Sequence, residues 1–285
     1  MKIGILITAH TNPDHLKRLV EVLKKDFSIF IHLDKKSNID QKDFAHETNV
    51  HVIKTHKVYW GSYNQILATL DLLKLAYEHA CDYYMLISGS DLPIKTNSEI
   101  IAEIQKNPEI NYIGYAKLPR EDWPLNGGLD RLQLFWNDVE NPHSISLLSQ
   151  IVGLFRRIQR ILHLKRKLLP MTYYGGHNWI NLSKEAVAYL LRFIEEHPEY
   201  LKSFRYTRSA DEIWLHTVLL NSPIRDQIEN DSKRYIDWSS GPEYPRILRM
   251  EDYKKIFQST GFFARKFDVN IDNNIYEEVL HRIGN

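Results

Sequence analysis

The pair Asp211-Glu212 opens an apolar, helix-periodic run, and Arg246, Arg265 and Lys266 stand among aromatic and apolar neighbours in Tyr244-Pro-Arg246 and Phe262-Phe-Ala-Arg-Lys-Phe-Asp268. A carboxylate so placed can take a proton from an attacking hydroxyl, and fixed cations can offset the charge that builds on a phosphate leaving group. Arginine offers phosphate oxygens a planar fork, lysine a compact charge. Each residue also has a plainer reading. Glu212 could be an ordinary carboxylate at a helix N-terminus, Asp211 a cap, and the cations members of surface salt bridges.

Other nucleotide chemistries lack their signatures. Neither a Gly-rich dinucleotide fingerprint nor a Gly-Lys-Ser/Thr phosphate loop is present, and no Asp-x-Asp pair supplies hard oxygen ligands for a divalent cation. The expectation is therefore no cofactor and no metal. His10 and His32 lack the further ligands that a metal site would need, and His32 reads as structural.

The elements that must position these groups alternate. Lys2–Ala9, Phe27–Leu33, Val50–Ile53 and Tyr83–Ser88 read as strands, and His15–Lys25 and Tyr63–His79 as amphipathic or apolar helices. Such alternation implies a mostly parallel sheet, which binds ligands at the carboxyl ends of its strands. His10, Asp34 and Asp91 stand at such ends, the last in the turn Gly89-Ser-Asp-Leu-Pro93. Asp34 and Asp91 also read as plain turn residues. The remainder is less regular: a polar, aromatic region over Tyr115–Val139, a basic stretch over Ile151–Leu169, a turn at Gly175-Gly176, helices over Lys184–Glu196 and Asp211–Leu220, and a short final helix over Asn274–Ile283.

The 285 residues, 43% of them apolar, can bury one large core or two packed halves. With 37 basic and 36 acidic residues, no global field favours nucleic acid. The lone Cys81 has no partner for an internal disulfide and fits a reducing compartment. No apolar run reaches the roughly 18 residues of a membrane span. These features predict a cytoplasmic protein, at most peripheral on the inner face of the membrane.

Four elements then come together: Trp60-Gly61-Ser62, Ser88-Gly-Ser-Asp-Leu-Pro-Ile-Lys95, Asp211-Glu212 and Phe263-Ala-Arg-Lys-Phe-Asp268, in this order. The chain resembles the core-2/I-branching β-1,6-N-acetylglucosaminyltransferases and their peptide O-xylosyltransferase relatives, from Ile5-Leu-Ile-Thr-Ala-His10 to Asp268. The resemblance implies an α/β, GT-A-like glycosyltransferase fold, with a mostly parallel central sheet flanked by helices. It also implies one domain over 1–285, with a nucleotide-sugar half over about 1–125 and an acceptor and catalytic half over about 126–285.

Transfer would invert the anomeric carbon without a metal. Glu212 would be the base, with Arg246 and Lys266, joined by Arg265, at the diphosphate; His10, Asp34, Trp60 and Asp91 would line the donor site, and Arg131, Trp179 and Asp211 the acceptor site. The aromatic residues Trp60, Trp123, Phe135, Trp136, Trp179 and Trp238 could stack on sugar rings or pack in the core.

The implied donor is a UDP-sugar, UDP-N-acetylglucosamine first, with xylose, galactose and glucose as alternatives. The implied acceptor is a glycan, lipid-linked if the basic stretch 154–169 meets a membrane; that stretch reads equally as a solvated helix packed on the domain. Lacking the anchor, stem and disulfides of the animal relatives, the chain reads as a bacterial member that builds surface polysaccharide. A non-catalytic sugar-binding protein and a sugar nucleotidyltransferase are the alternatives from other classes.

Overall fold

The computed structural model describes residues 1–44, 47–136, 147–241 and 244–284. Strands β1 (Ile3–Ala9), β2 (Ser28–Leu33), β3 (Val50–Ile53) and β4 (Tyr83–Ser88) pair in parallel in the order β3-β2-β1-β4. The mainly apolar sequences of β1, β2 and β4 suit burial on both faces, whereas the edge strand β3 is only partly buried. Alternation along β1 sends Ile3, Ile5 and Ile7 to one side of the sheet and Leu6 to the other. Helix α1 (Pro13–Leu23) covers the first side with Leu16, Leu19, Val20 and Leu23, and α2 (Tyr63–Glu78) covers the second with Ile66, Leu70, Leu72 and Leu73.

A small strand β5 (Asp91–Pro93) and helix α3 (Asn97–Lys106) follow β4, the helix begun by a reciprocal capping box between Thr96 and Glu99. The sheet then continues through β6 (Asn111–Lys117) and β7 (Tyr174–Ser183), which run antiparallel to each other, with β7 also antiparallel to β4. Between them lie α4 (Pro124–Gly127), α5 (Leu129–Gln133) and α6 (Leu147–Ile161). Helices α7 (Lys184–Glu196), α8 (Pro198–Ser203) and α9 (Trp214–Leu220) lead to the edge strand β8 (Ile228–Glu229). The seven-stranded order is β3-β2-β1-β4-β7-β6-β8, so one sheet draws on both halves of the chain. A second sheet, β5-β10-β9, joins β9 (Arg234–Ile236) and β10 (Phe263–Arg265) to the strand after β4; α10 (Tyr253–Gln258) and α11 (Asn273–Gly284) complete the fold.

Four sequence expectations change. The turn over Gly89–Pro93 ends as strand β5. The turn expected at Gly175-Gly176 lies inside β7, because both positions need a missing Cβ. A Cβ on Gly176 would lie 1.7 Å from the Gly114 carbonyl oxygen, and one on Gly175 would lie 2.7 Å from the Trp123 ring. Glu212 stands in a 3-10 turn, Ala210–Glu212, ahead of α9. The basic stretch is helical only to Ile161. The part of the polar, aromatic region that runs from 137 to Val139 lies outside the described residues. No helix among the described residues is long and apolar enough to cross a membrane.

Gly176→Ala should therefore disrupt the β6–β7 pairing at a cost on the order of 3 kcal/mol, read as a lowered Tm or loss of folded protein. Gly153→Ala in α6, where a Cβ meets nothing within 4 Å, is the matched control and should hold or raise Tm.

Candidate active site

Two groups of side chains gather at one rim of the sheet. The first is built from the ends of β1, β2 and β4. His10 follows β1 and Asp34 follows β2, and the Asp34 N–H donates to the Ala9 carbonyl at 2.9 Å, tying the two loops together. The buried Asp34 carboxylate accepts the Lys36 N–H at 2.8 Å and pairs with the Lys36 ammonium at 3.1 Å. Strand β10 brings the tail to the same place: Arg265 stands opposite Asp91 in the β5–β10 ladder, and the Phe267 N–H donates to the Ser90 carbonyl at 2.9 Å. Lys266 therefore emerges beside the strand ends. The His10 pKa is lowered by desolvation first; Asp34 opposes this, while Lys266 and Lys36 add to it, so all four groups share one electrostatic site. The Lys266 ammonium makes no hydrogen bond or ion pair among the described residues.

Three residues expected at the donor site have other engagements. Asp91 has no exposure; its oxygens accept the Ser88 N–H at 2.9 Å and the Ser88 hydroxyl at 2.7 Å. Arg265 lies 3.6 Å from that carboxylate and stacks 3.9 Å over the Trp179 ring. Both face inward, because a fully buried carboxylate needs a cation beside it. The loop they close supports the rim. Arg246 pairs with Asp237 at 2.9 Å, Glu251 at 3.2 Å and Asp252, so three carboxylates neutralise the cation expected at the diphosphate. Hydrogen bonds from Ser239, then from Arg246, pull the Asp237 carboxyl down to about 2.

The second group surrounds the Ala210–Glu212 turn. The Ser209 N–H donates to the Gly61 carbonyl at 2.9 Å, and Gly61, at φ 70°, would place a Cβ 3.0 Å from the Ser209 hydroxyl. Only glycine holds that approach without strain. Trp60 is 43% exposed; it packs against Tyr244 with ring centres 5.8 Å apart, and the Arg208 guanidinium lies 5.4 Å over it. It thus stands beside the acid pair and joins the tail to that turn. Gln65 of α2 donates to one Asp211 oxygen at 2.9 Å, while the other is buried without a hydrogen bond.

Arg131, expected at the acceptor, grips Glu212 itself at 2.6 Å. Its guanidinium lies 4.0 Å over one face of Trp123, and Arg120 lies over the same ring at 4.5 Å. Arg120 is fixed in turn by Asp122, at 2.9 and 2.6 Å, and by the Gly175 carbonyl at 3.0 Å. Burial raises the pKa of Glu212, opposed by Arg131. Burial and then the charge of Glu212 raise that of Asp211. The result is a carboxylate pair that ionises reluctantly, with one member keeping 33% of its side chain exposed.

Strand β7 joins the two groups. Gly175, His177 and Trp179 alternate onto one face over about 14 Å. They meet Trp123 and the Glu212 backbone, the Trp238 ring at 5.6 Å, and Arg265, respectively. Behind His177, the fully buried His216 donates Nε2–H to the His177 carbonyl at 3.0 Å, and burial pushes its pKa down to about 3. His32 is structural: its Nε2 accepts the His56 N–H at 3.3 Å, and burial lowers its pKa to about 4.

Sequence reasoning did not single out Arg120, Gln65 or the partly buried Arg234, which donates to the Asn181 side chain and the Leu86 carbonyl at 3.0 Å. Only Arg120 had a readable signal, as a cation three residues from Trp123. Among the described residues, no group of three or more His, Cys, Asp or Glu is placed to hold a metal ion.

The described sheet is mainly parallel and flanked by helices, with polar residues gathered at its strand ends, which makes the fold α/β. The chain belongs to the Core-2/I-Branching enzyme family, which it matches over residues 5–258. It is similar to rat xylosyltransferase 2, 24% identical over 306 residues, and to human xylosyltransferase 1, 25% identical over 311 residues. The matches cover 97% and 96% of this chain and 33% and 30% of those proteins, so the chain spans about a third of the length of these curated relatives. Among solved structures, mannose-1-phosphate geranyltransferase from Thermus thermophilus is similar at a TM-score of 0.32 and 10% identity, over 80% of this chain and 67% of that one.

Asp211 gives a test that needs no substrate. Its pKa is raised above the ordinary 3.8, so its contribution to stability is complete below that value and is lost as pH rises through the folded value. Asp211→Asn should be more stable than the parent at about pH 8, by on the order of 1–3 kcal/mol, with the gap closing toward about pH 4 in thermal melts.

Proposed function

We propose that the chain is an inverting glycosyltransferase that moves a sugar from a UDP-sugar to a glycan hydroxyl, with Glu212 as the base. One observation carries this reading: a carboxylate of raised pKa, held by Arg131, on the same sheet rim as an ammonium, Lys266, that lacks a partner among the described residues. The acceptor oxygen attacks the anomeric carbon, its proton passes to Glu212, and the bond to the diphosphate breaks on the opposite side. One base suffices for inversion. Lys266 offsets the charge on the departing diphosphate without a metal. Asp34 and His10 line the nucleoside end, and Arg131 opposes the rise that burial gives the Glu212 pKa.

The donor is UDP-N-acetylglucosamine in the reading that follows the branching enzymes. UDP-xylose is the second reading, favoured by relatives that are named xylosyltransferases. Thermal shift with each UDP-sugar separates the two, since the bound ligand raises apparent stability.

Glu212→Gln should lower kcat by about 10²–10⁴-fold and leave UDP-sugar affinity intact in calorimetry. Lys266→Met should weaken UDP binding, and a chelator should leave turnover unchanged; strict dependence on Mn²⁺ or Mg²⁺ would sink the assignment of Lys266 as sole counter-charge. The pH profile adds a signed test. Arg131 lowers the Glu212 pKa, so Arg131→Gln should move the acidic limb of kcat/KM to higher pH. A limb that stays put would remove Glu212 as the titrating base.

A further inference from the structure

Helix α6 carries its polar residue inward and its apolar residues outward. Gln159 is 1% exposed; its side-chain oxygen accepts the Phe135 N–H at 2.9 Å and its amide donates to the Phe135 carbonyl at 3.3 Å. Along a neighbouring face, Ile151, Leu154, Phe155 and Ile158 follow helical spacing and, with Ile161, are 41–74% exposed. Leu162 and Leu164 extend the patch beyond the helix, and Phe135 and Tyr206, with ring centres 5.8 Å apart, flank it. An apolar surface of this extent is a contact surface.

The charges around it select the contact. No Asp or Glu occurs between residues 147 and 170, while Arg156, Arg157, Arg160, Lys165, Arg166 and Lys167 do. Arg166 is held by Thr207 and Ser203, and Arg160 lies 3.9 Å from Asp130. Arg157, Lys165 and Lys167 make no hydrogen bond or ion pair among the described residues. A second copy seated symmetrically on this face would set like charges against each other. A surface that is apolar inside and anionic at its edge satisfies both features.

We infer that α6 and the segment through Lys167 seat the protein on a membrane carrying anionic lipid, with the apolar side chains in the headgroup–acyl boundary and the free cations at the phosphates. The site lies close by. Helix α5 carries Asp130, which meets Arg160 of α6, and Arg131, which grips Glu212. A lipid-linked glycan is then the acceptor class, a clause that rests on the transferase reading, whereas the docking itself does not.

Vesicle flotation tests the docking without any transfer assay. The full chain should float with phosphatidylglycerol-containing vesicles and stay behind with pure phosphatidylcholine. The triple variant Leu154→Ser, Phe155→Ser, Ile158→Ser should lose about ten-fold in bound fraction, and so should Arg157→Glu, Lys165→Glu, Lys167→Glu, with UDP-sugar affinity unchanged in both. If the apolar variant fails to fold, the charge-reversed one decides alone. The proposal falls if the parent chain stays unbound with anionic vesicles. It falls equally if charge reversal leaves flotation intact, or if light scattering without lipid shows a dimer that the apolar substitutions break.

Discussion

The contact on which the site depends is the 2.6 Å pair between Arg131 and Glu212. A carboxylate in a partly desolvated place resists ionisation, and burial raises the Glu212 pKa. A cation in direct contact opposes that rise, and does so best when it is itself fixed. The Trp123 ring supports it, Arg120 lies over the same ring, and Asp122 and the Gly175 carbonyl hold Arg120. That arrangement exists because β7 carries glycine where Trp123 arrives. The support of Glu212 thus reaches back through one aromatic ring to a missing Cβ in the central sheet.

The opposite end of the rim follows the reverse logic. Asp91 and Arg265 face each other away from solvent, and Arg234 lies partly buried with its guanidinium donating to Asn181 and to backbone carbonyls. These groups hold β10 against β5. In doing so they leave the next residue, Lys266, at the rim with its charge unspent. Arg246 shows the contrast, since three carboxylates already satisfy it and a diphosphate would have to compete with all of them. Of the cations the sequence points to, Lys266 is the one whose charge the fold leaves available.

The parallel half was legible because β1 to β4 are apolar runs punctuated by polar residues, and α1 shows its buried face directly. Strands β6 and β7 were not. Asn111–Lys117 and Tyr174–Ser183 mix glycine, asparagine and aromatic residues, and local propensity reads Gly175-Gly176 as a turn when their role is to admit a ring and a carbonyl from elsewhere. The site residues were legible as types. Their partners were not, because whether a cation is free or spent depends on contacts far apart in sequence, such as Arg131 with Glu212 or Arg265 with Asp91.

That difference bears on how charge is handled across the site. Asp211 has little exposure and one oxygen without a hydrogen bond, so burial resists its ionisation, and the direct ion pair of Arg131 goes to Glu212. Two ionised carboxylates there would share one arginine and weaken its hold on each. Suppressing one ionisation keeps the Arg131–Glu212 pair one-to-one, while Gln65 orients the silent partner through a single donated hydrogen bond. The adjacent acids are therefore unequal by construction: burial resists charge on one more fully, and the exposed edge of the other leaves it within reach of a ligand.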